Sequence, residues 1–329
     1  MPVLRFYDLH TANPVAIQNE LEEGLLATQA HTSPKYLYDA LGSRLFDAIT
    51  ELPEYYPTRT EAAIFAAQRS VLASTLPAQA CMVDLGAGSC AKAASLFGAV
   101  QPSQYIAIDI STQYLRGVLN SLSEQHPAIN MVGLGLDFSS ALELPSAVLA
   151  EAAQCPIAAF YPGSSIGNFS PDEALEFLQR VQRLCAQGRS GGGLLIGVDL
   201  AKAIDVLEPA YDDPLGVTGA FNLNMLRHIN TLLGSDFDVH DWQHVAFFNT
   251  TQSRIEMHVQ AKRDVQVTWK TGQSGAQQRS FKAGERIHTE NSYKWTVDTF
   301  ADLLKAAGFK STQAWTDQQD YFAVLWASV

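Results

Sequence analysis

Val83-Asp84-Leu85-Gly86-Ala87-Gly88-Ser89-Cys90-Ala91-Lys92 carries an apolar run with one acid into a glycine pair, and a helix-forming segment follows to Phe97. Locally this is a strand, a tight turn and a helix, the first unit of an open α/β sheet. Gly86 and Gly88 lack a Cβ, so the backbone can turn sharply and a ribose or charged tail can approach the helix N-terminus. Such a turn holds a nucleotide-like ligand.

The glycine spacing alone leaves the ligand open. Gly86-x-Gly88-x-x-Ala91 fits both a dinucleotide and S-adenosylmethionine (SAM), and Asp109, closing the apolar run Tyr105–Asp109, stands where either would present its ribose hydroxyls. A turn that binds nothing is a third alternative. The P-loop fits poorly, because Lys92 is neither preceded by glycine nor followed by Ser or Thr.

The composition narrows the class. A chain of 329 residues with 47% hydrophobic content can bury one large core or two. Cys81, Cys90, Cys155 and Cys185 have no paired metal spacing, and no basic-then-apolar leader follows Met1, so we expect no metal, no disulfide framework and a cytoplasmic protein. No apolar run reaches the roughly 20 residues of a membrane span, and a net charge of -12 opposes a phosphate-backbone binder. The expected partner is a small molecule, with neither nucleic acid nor membrane. Without a heptad seam, a monomer is expected.

From Met82 onward short apolar runs alternate with helical segments. Strands are expected at Val83–Leu85, Tyr105–Asp109, Val132–Asp137, Ala158–Tyr161 and Leu194–Val198, with helices near 91–100, 112–124, 141–151 and 171–186. This is the βαβ pattern of a parallel sheet, whose ligands sit at the carboxyl ends of the strands. Asp137-Phe138 ends the third of these strands, an acid able to accept from an adenine amino group beside a ring able to stack on the base; the alternative is that Asp137 caps the next helix. A final helix, Thr296–Ala307, ends at Gly308, and Ser311–Thr316 with Phe322–Ala327 reads as a hairpin returning to the sheet.

Between these parts the rhythm changes. After a helix with Phe221, Met225, Leu226 and Ile229 at helical spacing, period-two segments at 245–249, 253–259, 265–269 and 286–292 argue for antiparallel strands. They indicate a smaller second domain inserted before the sheet is complete, with the tyrosine-rich N-terminal segment as its partner. The boundaries read as 60–200 plus 296–329 for the sheet domain and 1–59 plus 201–295 for the second. Residues 13–27 are an amphipathic helix, Pro53 and Pro57 bracket a non-helical turn, and a helix runs from Thr60 to about Leu76 with Glu61 in its first turn. In an extended Thr289-Glu290-Asn291-Ser292, Glu290 and Ser292 project from one face, where a carboxylate and a hydroxyl could grip a ring bearing two nitrogens; an ordinary exposed strand face is the alternative.

Six motifs taken together are specific. Tyr38-Asp39-Ala40-Leu41-Gly42-Ser43, Leu52-Pro53-Glu54-Tyr55-Tyr56-Pro57-Thr58-Arg59-Thr60-Glu61, Gly163-Ser164-Ser165-Ile166-Gly167-Asn168, Tyr211-Asp212-Asp213, Arg254-Ile255-Glu256-Met257 and Thr289-Glu290-Asn291-Ser292-Tyr293-Lys294 closely resemble the ergothioneine-pathway L-histidine Nα-methyltransferases, from about Pro34 to the C-terminus. The resemblance implies a Rossmann-like class I SAM-dependent methyltransferase sheet with a smaller α+β substrate domain, and trimethylation of the α-amine of L-histidine to hercynine. It implies that Gly86, Gly88, Lys92, Asp109, Asp137 and Phe138 hold the cofactor. It further implies that Asn168 and Tyr211 bind the substrate carboxylate, Tyr55 contacts the substrate, Tyr38 lies close to the amine, Glu290 and Ser292 bind the imidazole, and Met257 lines that pocket. Pro162-Gly163-Ser164-Ser165 and His258 depart from the family pattern. A same-family enzyme acting on histamine or a tryptophan derivative, and a catalytically silent cofactor-binding module, are the competing readings.

Overall fold

A computed structural model describes residues 4–9, 13–139, 141–271 and 275–329. In chain order the elements begin with β1 (Arg5–Asp8), α1 (Pro14–Leu26), α2 (Ala40–Thr50), α3 (Tyr56–Ala67), α4 (Arg69–Thr75), β2 (Cys81–Leu85), α5 (Ala91–Val100), β3 (Gln104–Asp109) and α6 (Thr112–Gln125). Next come β4 (Asn130–Gly135), α7 (Ser146–Ala152), β5 (Ile157–Tyr161), α8 (Pro171–Ala186), β6 (Gly193–Asp199), α9 (Ile204–Leu207) and α10 (Val217–Leu233). The chain closes with β7 (Trp242–Asn249), β8 (Arg254–Ala261), β9 (Val265–Thr271), β10 (Gly275–Phe281), β11 (Arg286–Tyr293), α11 (Val297–Ala306), β12 (Ser311–Thr316) and β13 (Phe322–Ser328).

Two compact units result, 1–11 with 57–201 and 295–329, and 12–56 with 202–294. The first is built on an eight-stranded sheet in the order β1-β4-β3-β2-β5-β6-β13-β12. The strands through β6 are parallel; β13 runs antiparallel to β6 and β12 antiparallel to β13. β2, β3 and β5 are buried almost throughout, which explains why their sequences are continuous apolar runs rather than alternating ones. One face packs Val83, Leu85, Ile106 and Ile108 against Phe177 and Val181 of α8 and Phe300 of α11. The other packs Met82, Tyr105 and Ala107 against Leu96 and Phe97 of α5 and Leu119 of α6.

Several sequence expectations are corrected here. The first residues do not go with the second unit, because β1 pairs in parallel with β4, Arg5 opposite Val132. Residues 1–3 and 10–12, also assigned to that domain by sequence, lie outside the described residues. The helix expected from Thr60 starts at Tyr56, so Pro57 sits in its first turn, where a missing N–H costs nothing, and the chain breaks again at Gln68. The helix expected at 141–151 begins only at Ser146, after Pro145, whose ring disfavours helical conformation in the residue before it. β4 ends at Gly135, so Asp137 stands two residues beyond the strand.

The second unit has a three-stranded antiparallel sheet, β11-β8-β7, and a separate β9-β10 ribbon. β10, polar along most of Gly275–Phe281, is a strand the periodicity does not reveal. Gly219 and Asn222 of α10 meet His244 of β7, which sets the helix on the sheet face that carries His244 and Val259. Asp213 fixes the start of α10 by accepting from the backbone N–H of Val217 (3.0 Å) and Thr218 (2.7 Å).

Candidate active site

In the first unit the strand order reverses at β2, which has β3 on one side and β5 on the other, and the glycine turn stands at its carboxyl end. That is the topological switch point, where open α/β sheets bind ligands. Gly86 and Gly88 adopt φ of +72° and +49°, and the helix cap Cys90 adopts +56°. Asp109, at the end of β3, accepts from the Gly88 N–H at 2.9 Å and the Ser111 N–H at 2.8 Å, so its carboxylate is held beside the turn. A Cβ on Gly86 would lie 3.5 Å from the ring of Phe138, which itself packs edge-on against Tyr161 at 5.8 Å. Asp137 does not cap a helix: its Oδ1 accepts from the Ser139 N–H at 3.1 Å, closing a local turn. Gly86, Gly88, Asp109 and Phe138, with Asp137 next to Phe138 in the chain, thus make a cradle suited to a nucleoside: backbone without side chains, an acid near the turn, and a ring face.

Lys92 is tied into a network that the sequence does not announce. Its Nζ donates to Glu61 Oε2 at 2.6 Å, and Glu61 Oε1 accepts from the Gly163 N–H at 2.7 Å. Glu61 is fully buried. Gly197 of β6 makes room for it, since a Cβ there would stand 2.1 Å from Glu61 Oε1. The loop from Gly163 to Asn168 is held at its start, by Glu61 on Gly163 and by Ser164 Oγ accepting from the Asp199 N–H at 2.8 Å. Asn168 closes the 3-10 turn Ser165–Asn168 in this unit.

Beneath the glycine turn, Asp84 is buried and accepts from Tyr105 Oη at 2.6 Å, while its Oδ1 has no partner. Burial pushes its carboxyl up to about 7, partly opposed by that hydrogen bond. The Cys90 thiol, raised by burial to about 12, is no nucleophile.

In the second unit Glu290 and Ser292 face the same side of β11, as the period of two requires. Their cross-strand partners are Met257 and Ile255. The register slips at Thr289, a bulge that lets Thr289 and Glu290 both turn inward. Glu290, Ser292 and Met257 are all buried, which removes the reading of an ordinary exposed face. Burial pushes the Glu290 carboxyl up to about 8, with the Lys294 charge acting in the opposite direction. Ser292 Oγ lies 2.8 Å from Tyr211 Oη, and Lys294 Nζ donates to both, at 2.7 Å and 3.0 Å.

Tyr211 is positioned by His244. Burial keeps this imidazole neutral; its Nδ1 faces the Asn222 amide nitrogen at 2.9 Å and its Nε2 lies 2.8 Å from the Tyr211 carbonyl. The carbonyl can only accept, so the proton is on Nε2. Rings continue the wall: Tyr55 is 6.1 Å from Tyr211 and from Phe46, and Tyr38 is 5.6 Å from Phe46 and 5.4 Å from Phe221. Tyr56 accepts at its hydroxyl from Lys202 Nζ at 2.7 Å, and the Tyr55 ring meets that of Tyr211. His258 is on the sheet face opposite Met257, stacked on Phe247 and 3.1 Å from Glu256, so this departure from the family pattern does not alter the Glu290 face.

Among the described residues no group of three or more His, Cys, Asp or Glu is arranged to hold a metal, and no helix is long and apolar enough to cross a membrane. The four cysteines are free.

A Rossmann-like sheet closed by an antiparallel hairpin, with a glycine turn at its switch point and a second α+β unit, defines a class I SAM-dependent methyltransferase. Residues 17–329 match the model of the SAM-dependent, histidine-specific methyltransferases, and the chain belongs to that family. It is 35% identical to a histidine N-alpha-methyltransferase of Mycobacterium tuberculosis, over 96% of both chains. It is 34% identical to one of Mycolicibacterium smegmatis, over 94% of both. A 28% likeness covers 87% of this chain and 32% of the ergothioneine biosynthesis protein 1 of Neurospora crassa. The family match decides for SAM over NAD as the cofactor, and the cradle fits it.

Proposed function

We propose that the protein transfers three methyl groups in succession from SAM to the α-amine of L-histidine, yielding hercynine for ergothioneine biosynthesis. The observation that carries this reading is the buried Glu290 and Ser292 on one strand face, with Tyr211 and Lys294 joined to Ser292. A buried carboxyl and hydroxyl one pleat apart suit a ring with two nitrogens, and an indole would leave one of them unpaired at a cost of about 1–3 kcal/mol. The names of the mycobacterial relatives support the same substrate.

In this reading Gly86 and Gly88 admit the cofactor to the turn, Asp109 accepts from its ribose, Asp137 and Phe138 receive its adenine, and Lys92 faces its carboxylate. An ammonium has three N–H donors, so pairing with Glu61 leaves Lys92 donors for that contact. Asn168 and Tyr211 take the substrate carboxylate, Tyr55 and Met257 line the pocket, and Tyr38 stands near the amine. Bound SAM supplies a methyl already activated on a sulfonium, so the residues need only align a neutral amine with it, and alignment can contribute about 7–11 kcal/mol. Aromatic walls also tolerate an ammonium that grows through three transfers, since a ring face attracts a cation without clamping it.

The test is methylation by the purified protein of histidine, histamine and tryptophan in separate reactions, read by mass spectrometry. Trimethylated histidine with the others untouched supports the proposal. Preference for another amine keeps fold and cofactor and overturns the roles of Glu290 and Ser292, and tight cofactor binding with no turnover indicates a silent module.

A further inference from the structure

Glu61, on α3, is completely buried, and a carboxylate is almost never so placed unless paired. Its two partners come from elements far apart in the chain. Oε2 accepts from Lys92 Nζ, on the second residue of α5, at 2.6 Å, and Oε1 accepts from the N–H of Gly163, two residues past the end of β5, at 2.7 Å. Two glycines leave room for the group: a Cβ on Gly197 would stand 2.1 Å from Glu61 Oε1, and one on Gly163 would stand 3.0 Å from Lys92 Nζ. Ammonium, carboxylate and peptide are therefore packed against one another.

The members of this group differ in freedom. The Lys92 side chain is 39% exposed, so without a partner its long stem would range through solvent, whereas Glu61 is 1% exposed and anchored on main chain. Glu61 thus fixes the ammonium at one place beside Gly163 and takes one of its three donors. A lysine held in advance has already lost the rotamer freedom that an arriving anion would otherwise have to remove, an advantage of several-fold, up to about tenfold, in affinity. The carboxylate also offsets part of the attraction between Lys92 and that anion, but water reaches Lys92 and screens this longer contact, so the ordering gain outweighs it.

We propose that Glu61 is a positioning residue for the amino-acid tail of the cofactor: it holds the Lys92 ammonium, against the Gly163 main chain, where the tail's carboxylate meets it. This role rests on the assignment of Lys92 to that carboxylate in the reading above, and adds the residue that places the ammonium. Both partners of Glu61 are donors, and a carboxylate presents an acceptor to each. Glutamine has the same shape but presents one oxygen and one amide nitrogen. Its oxygen stays with Gly163, whose main chain cannot turn away, and its amide nitrogen faces the ammonium, which is released.

The test compares S-adenosylhomocysteine, which carries the tail, with methylthioadenosine, which has the same nucleoside and thioether without it, by calorimetric binding to the parent, Glu61→Gln, Lys92→Met and the double variant. Glu61→Gln should weaken S-adenosylhomocysteine about three- to tenfold and leave methylthioadenosine unchanged. It should cause no further loss in the Lys92→Met background, because it acts through the ammonium. Should Glu61→Gln not keep the Tm of the parent, Glu61→Asp takes its place; it keeps the charge, withdraws it from Lys92 by one methylene, and should show the same selective loss. Parallel loss of both ligands marks a structural role and overturns the proposal, as does tighter binding of S-adenosylhomocysteine, the sign expected if Glu61 only cancels charge. In both cases a selective loss in Lys92→Met leaves the assignment of Lys92 standing. No selective loss in Lys92→Met overturns that assignment and the role of Glu61 with it.

Discussion

Replacing Glu290 by glutamine tests the ring-binding end of the site with a pH signature worked from its burial. Its carboxyl is pushed up to about 8 when no ligand is present, while a ring N–H is accepted best by the carboxylate. A hydrogen bond to a charged acceptor contributes about 1.5–3 kcal/mol, or roughly 10- to 150-fold in affinity. At pH 7 the carboxyl must first lose its proton at a cost of about 1.4 kcal/mol, the equivalent of one pKa unit, which removes about tenfold of that gain. Near pH 9 the cost is gone and the full effect is expressed. The KM of Glu290→Gln for histidine, divided by that of the parent, should therefore grow about tenfold between pH 7 and pH 9. Taking the ratio cancels the titration of the substrate's own amine and ring, which is common to both enzymes. Steady-state kinetics at saturating SAM give the numbers. A ratio that stays flat across this range would refute the assignment of Glu290 as the acceptor for the ring.

Three further outcomes follow from the first unit and from the chemistry. Asp84 has a folded-state pKa of about 7, above the usual value near 4, so the folded state binds the extra proton between these limits and stability falls as pH rises through that window. Asp84→Asn does not titrate, and its Tm should gain on the parent's from pH 5 to pH 8.5, by an amount corresponding to as much as about 3 kcal/mol, the two pKa units between pH 5 and the folded-state value; a constant difference in calorimetry contradicts this. Gly197→Ala sets a Cβ against the pinned Glu61 and 3.1 Å from the Gly163 nitrogen, so it should cost about 1–3 kcal/mol of stability and weaken S-adenosylhomocysteine binding in calorimetry. Because only a neutral amine attacks, single-turnover methylation should accelerate with pH until the bound amine is deprotonated, and a flat profile in rapid-quench assays speaks against that step.

The sequence is informative where burial is two-sided and local. β2, β3 and β5 read as apolar runs, and Asp109 is legible at the end of β3 because a strand end is marked by the first polar residue after such a run. The face shared by Glu290 and Ser292 follows from the period of two, but the bulge at Thr289 depends on pairing with β8 and has no local signal. Arg5–Asp8 is too short to declare itself, and only its partner β4, more than a hundred residues away, makes it a strand. Glu61 and Lys294 are the residues whose surroundings the sequence conceals most. A glutamate in a first turn and a lysine after a strand are ordinarily solvated, and nothing local indicates that Gly197 opens space for the one or that Ser292 and Tyr211 converge on the other.

The central claim is most directly tested by incubating the purified protein with SAM and histidine and following product masses over time, with histamine and tryptophan in parallel. The account predicts accumulation of trimethylated histidine alone. Methylation of histamine or tryptophan in preference to histidine would contradict it.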